Sequence, residues 1–150
     1  MKSLAAIEVL SETRARLRSV RVDDHRLWGK MTAKQMMRHL SCAYEIALGD
    51  REAGPVMTAM PPVMLKWLAL RSGLRWSRNI STVPELKRAL GENSEVEFDT
   101  VVRRVIEKME TLASGNRCAV THPMFGPMTQ EDWMRWGYLH VDHHLRQFGR

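Results

Sequence analysis

The sequence predicts an all-α protein: a four-helix bundle with a long crossover between its second and third long helices, the crossover carrying one extra short helix. Three observations predict it. Four stretches repeat apolar residues at helical spacing, strand signals are nearly absent, and the broad excursion over residues 50–93 separates the second stretch from the third. An open helical array would need an internal repeat, and none is visible.

Residues 3–20 predict the first helix, with Leu4, Ile7, Leu10, Leu17 and Val20 roughly on one side. A polar connection over residues 21–31 follows, carrying Asp23, Asp24, His25 and Trp28. The second helix has a capping-box start at Thr32-Ala33-Lys34-Gln35 and stops at Gly49, a residue suited to the left-handed C-cap. Its wet face reads Lys34, Arg38, Ser41 and Glu45, and its dry face Gln35, Met36, His39, Ala43 and Ile46. Residues 54–62 are rich in helix breakers, residues 62–72 predict a short helix with Trp67, and residues 73–93 read as irregular. A further capping box, Ser94-Glu95-Val96-Glu97, opens a helix to about Ala113 with Phe98, Val101, Val105, Met109 and Leu112 as its stripe. After a loop over residues 114–128, Thr129 with Asp132 caps the last helix, which runs to Phe148.

A length of 150 residues suits a single domain over 1–150. The most apolar stretch, residues 56–70, is interrupted by Pro61, Pro62 and Lys66, so it predicts neither a membrane span nor a signal peptide. Cys42 and Cys118 are too few for a disulfide framework, which points to a reduced, cytoplasmic chain. The net charge is +6, with the arginines scattered rather than blocked; that favours a solvated basic surface over a nucleic-acid site. The eleven methionines, Met36 and Met109 among them, fit pliable core filler at helical spacing.

The last helix carries the chemistry. At about 100° per residue, Trp133, Gly137, His140, His144, Gln147 and Phe148 share one face, with Arg135, Asp142 and Arg146 opposite, where water is expected. Two imidazoles one turn apart therefore point where an apolar stripe belongs, and burying them unsatisfied is costly. Imidazoles at i, i+4 reach a common ion without strain, and His39 on the second helix also aims inward. His39 lies about 10 Å inside the start of its helix, and His140 and His144 about 12 and 6 Å from the end of theirs, so antiparallel packing puts all three at one level. Three neutral nitrogens with no fourth protein ligand make an open site for one divalent cation, zinc or nickel, with iron a further candidate. The bland reading keeps them as core histidines bonded to backbone or to one another.

His143 sits about 60° to the side of His140, a weaker ligand suited to bonding a neighbour or an anion. Gln147, one turn past His144 on the same face, is a candidate partner for that ligand. Cys42 could be a fourth ligand or redox thiol, although buried free cysteines are usually inert. Trp28 and Trp67 are candidates for a substrate entrance, while His122 reads as a turn residue. The inward faces of the second and last helices show no carboxylate, and no dinucleotide, phosphate-loop or nucleophile-elbow motif occurs.

The stretch Trp28-Gly29-Lys30-Met31-Thr32, with His39-Leu40 after it and His140-Val141-Asp142-His143-His144-Leu145-Arg146-Gln147 far downstream, resembles the DinB/YfiT-like superfamily of metal-binding four-helix bundles. His122-Pro123-Met124-Phe125-Gly126 looks like one of its uncharacterised bacterial subfamilies. The resemblance covers the second and last helices with their leads, and implies His39, His140 and His144 as the metal ligands. Many relatives carry arginine directly after the double histidine; here Leu145 intervenes and Arg146 falls on the wet face. It further implies a metal-dependent hydrolase or a thiol-dependent transferase or isomerase acting on a small molecule, with a thiol among the candidates. The other class of reading is a non-catalytic protein that binds a metal, a small ligand or nucleic acid on the same bundle. No membrane partner is expected. The apolar residues 56–70, with Trp67, are expected either to cover one end of the bundle or to form a homodimer contact.

Overall fold

The computed structural model describes residues 1–78 and 96–150. Among these it contains helices α1 (Ile7–Ser19), α2 (Ala33–Leu48), α3 (Pro62–Leu70), α4 (Phe98–Ala113) and α5 (Gln130–Gln147). A two-residue antiparallel hairpin pairs β1 (Thr121–His122) with β2 (Gly126–Pro127). The architecture is helical, as expected, and the hairpin in the loop before α5 is the departure from an all-helical reading. None of the described helices is long and apolar enough to cross a membrane.

The two helices that carry the histidines are also the two with complete local start signals. Thr32 Oγ1 accepts the Gln35 amide at 3.2 Å and Gln35 Oε1 accepts the Thr32 amide at 2.9 Å, so two orphan donors are satisfied reciprocally. Thr129 and Asp132 repeat the arrangement at α5, at 3.1 and 3.2 Å. Gly49 closes α2 with φ of 79°, in the left-handed region where a Cβ is penalised.

Elsewhere the boundaries move. α1 begins at Ile7 rather than residue 3, with no side-chain cap. Leu4 is nonetheless buried, held by its amide on the Met134 carbonyl at 3.3 Å, while Ile7, expected on the core stripe, is 75% exposed. α4 starts at Phe98 with Glu97 as its N-cap and no side-chain capping bond. The expected cap Ser94 and the irregular residues 79–93 lie outside the described residues. The α4 stripe holds at Val101, Val105, Met109 and Leu112, all buried, while Phe98 at its start is half-buried.

α2 packs along α4, α1 against α4, and both α1 and α2 reach α5, so the four long helices share one core. α3 lies on α5. Neighbours crowd α5 at Gly137, where a Cβ would meet Leu4 Cδ1 at 2.8 Å and Leu112 Cδ2 at 3.2 Å. Tyr44 of α2 donates its buried hydroxyl to the Gly137 carbonyl at 3.0 Å.

Because neighbours cover α5 on several sides, its expected wet face is only partly wet. Arg135 is buried; its guanidinium donates to the Leu70 carbonyl at 3.1 Å and to the Lys2 carbonyl. Burial pushes its pKa down. Asp142 is half-buried between Arg16 and Arg146, each at 2.9 Å. Ser41 of α2, also expected on the wet face, is buried under Lys108, whose ammonium donates to its hydroxyl at 2.7 Å.

Candidate metal centre

His39 comes from α2 and His140 and His144 from α5, one turn apart, and all three rings are buried. Their ligand atoms lie within 4.8 Å of one another. His140 Nε2 stands 3.0 Å from His39 Nε2 and 3.1 Å from His144 Nε2. The group of three could hold a metal ion, and among the described residues no carboxylate or thiol belongs to it.

The protons show why a cation fits. Gln147 Oε1 lies 2.7 Å from His144 Nδ1, and an amide oxygen only accepts, so the His144 proton resides on Nδ1 and Nε2 is bare. His140 Nε2 then faces that bare nitrogen on one side and His39 Nε2 on the other. One ring nitrogen is either a donor or an acceptor, so the two contacts cannot both be two-centre hydrogen bonds. A cation among the three Nε2 lone pairs removes the conflict. Ligands at about 2.0–2.1 Å in tetrahedral geometry stand about 3.3 Å apart, a few tenths of an ångström beyond the two contacts His140 makes.

Electrostatics agree. Burial pushes the His39 pKa down to about 4, aided by the nearby His143. Burial and then the neighbouring imidazoles push His140 well below the ordinary value, and burial, followed by His39, does the same for His144. All three are neutral at pH 7, the form that ligates. Among the described residues, His39 Nδ1 and His143 Nδ1 are buried without a hydrogen-bond partner.

His143 stays outside the converging set, as its angle on the helix implies. Its ring meets Trp28 edge-on at 4.9 Å between centroids and His144 at 5.2 Å. Trp28 is half-buried, with the Arg78 guanidinium 5.6 Å above its ring. The lead around it is tied to the end of α5, where the Leu27 amide donates to the Gln147 carbonyl at 2.6 Å. Cys42, half-buried on α2, is not a member of the group, and burial pushes its thiol up, away from the ligating thiolate. Trp67 is 62% exposed on α3.

His122 serves its turn: Nδ1 accepts the Met124 amide at 3.1 Å and the ring stacks on Phe125 at 4.3 Å. Two aromatic neighbours escaped the sequence reading. Trp136 packs on His140 at 4.8 Å, a contact its i, i+4 spacing could have announced. Trp76 stands 6.1 Å from His140 and 5.9 Å from His143, its indole N–H on the Ala69 carbonyl at 3.0 Å. It lies among residues 73–78, where no periodicity marks it. Asp132 is a buried carboxylate on α5, but it is engaged by the cap, by Lys66 at 3.2 Å and by Arg71 at 2.9 Å.

No curated protein and no solved structure matches this chain. A family profile described as "Protein of unknown function (DUF1569)" matches residues 2–150. The chain therefore belongs to the DUF1569 family.

Proposed function

We propose that this is a DinB-like bundle holding one divalent cation, zinc or nickel with iron as the alternative, on His39, His140 and His144, and that it is a metal-dependent enzyme of hydrolase or thiol-dependent transferase type. The observation that carries the reading is the convergence of three buried, neutral imidazoles in which two Nε2–Nε2 contacts of 3.0 and 3.1 Å compete for one nitrogen. A bound ion supplies Lewis acidity at a position left open by the three protein ligands.

The chain's own residues do the rest. Gln147 holds the His144 ring in the tautomer that presents Nε2, and Trp136 packs against His140. Trp28 and Trp76 flank His143 beside the cluster, an aromatic wall suited to a small organic substrate. Among the described residues no carboxylate joins the group, which leaves a second reading, in which the same site binds a metal or small ligand without turnover.

Elemental analysis of untagged protein tests the proposal, with about one divalent ion per chain expected. Substitution of His39→Ala, His140→Ala or His144→Ala removes most of it, and His143→Ala retains it. Full occupancy in the His39 variant excludes α2 from the site and overturns the reading.

A further inference from the structure

Resting on that metal reading, we propose that Gly29 is a positioning residue for the centre, acting through Gln147: the missing Cβ is what lets the Gln147 amide lock the tautomer of His144. Gly29 has φ of +84°, and a Cβ built there falls 2.8 Å from Gln147 Nε2 and 3.7 Å from Gln147 Cδ. The other arm of the same amide is Oε1, 2.7 Å from His144 Nδ1. One planar group is thus bounded by the Gly29 backbone on one side and by a ligand ring on the other.

The loop has little room to retreat. Arg26 Nε donates to the Gly29 carbonyl at 3.0 Å, and the Leu27 amide is held on the Gln147 carbonyl at 2.6 Å. The side chain yields instead, because the struck atom is the tip of a flexible glutamine. The fold therefore survives a methyl group at position 29, while the Oε1 contact that keeps the His144 proton on Nδ1 does not. Outer partners that orient a ligating imidazole typically govern metal affinity by about 10–100-fold.

Left-handed backbone strain alone is controlled by Gly73, which has φ of +76° with nothing within 4 Å of a built Cβ. Cobalt(II) titration followed by its absorption bands measures affinity for wild type, Gly29→Ala, Gly29→Asn, Gly73→Ala, Gln147→Ala and the Gly29→Ala/Gln147→Ala double variant. Nitrogen-15 NMR of the metal-free proteins reads the His144 tautomer independently. The expected result is a 10–100-fold loss in both Gly29 variants and in Gln147→Ala, none in Gly73→Ala, and no further loss in the double variant. Asparagine tolerates positive φ but carries a Cβ, so a Gly29→Asn variant with wild-type cobalt affinity shows that only backbone conformation matters and overturns the proposal. Additive losses, or an unchanged His144 tautomer in Gly29→Ala, overturn it too. Wild-type protein that takes up no cobalt defeats the metal reading itself, while the tautomer measurement still decides whether Gly29 acts through Gln147.

Discussion

α5 and α3 are inverted with respect to each other. α5 buries Asp132, Arg135, His140, His143, His144 and Gln147, whereas α3 exposes Val63, Met64 and Trp67 and fully buries only Leu70. Both depart from the pattern of polar residues outside and apolar residues inside, in opposite senses and with different consequences. A buried polar group has to find a partner or destabilise the fold, so most of those on α5 can be followed to a partner. Asp132 satisfies the cap, Lys66 and Arg71, and Arg135 satisfies two carbonyls. What is left over, the unpartnered Nδ1 of His39 and His143 and the competing Nε2 contacts, gathers at one place. An exposed apolar side chain leaves no comparable trace, and α3 does not declare its purpose in the same way.

The largest expected effect breaks the buried-polar side of this contrast with acid. His39, His122 and His143 each have their pKa pushed to about 4 by burial, against 6.5 when unfolded. Between those values the unfolded chain binds more protons. Their stabilising contribution is complete above about pH 6.5 and is lost as pH falls toward 4, at about 1.4 kcal/mol per pH unit for each histidine. Urea titrations of metal-free protein from pH 7 to 4 should show this slope, and His122→Phe, away from the metal ligands, should make it shallower by one proton. Metal present at about a hundred times its Kd adds about 2.7 kcal/mol at neutral pH.

A smaller effect separates engaged polar groups from solvated ones. Arg135→Met leaves the Leu70 and Lys2 carbonyls without their guanidinium and should cost about 1–3 kcal/mol by chemical denaturation. Arg146→Met removes an i, i+4 pair with Asp142, which keeps Arg16, and should cost no more than about 0.5 kcal/mol. Equal costs would remove the distinction. The smallest effect belongs to α3. Trp67→Glu should change stability by no more than about 0.5 kcal/mol, and it should lower the mass seen by light scattering if this face takes the homodimer role, one of the two roles expected of it, rather than covering an end of the bundle. A wild-type monomer at all concentrations would leave α3 only its packing on α5.

Much of the site was legible because its signals are local. Helical periodicity alone turns His39, His140 and His144 inward, and Gln147 falls within one turn of His144 on the same face. Trp76 was not legible, since an aromatic in an aperiodic stretch gives no direction until the chain folds back on α5. Arg135 was misread because periodicity assigns one wet face to a helix, and α5 has Lys2 and the end of α3 packed where water was expected.

By itself the sequence determined where α2 and α5 begin and which faces carry imidazoles. Capping boxes and the 3.6-residue period act within a few positions and need no distant partner. Only the tertiary structure decided that ligand atoms of the three histidines meet within 4.8 Å, which nitrogen of His144 keeps its proton, and that a Cβ on Gly29 would crowd the Gln147 amide. Each of these depends on residues far apart in the chain being held at ångström precision, and that precision comes from core packing.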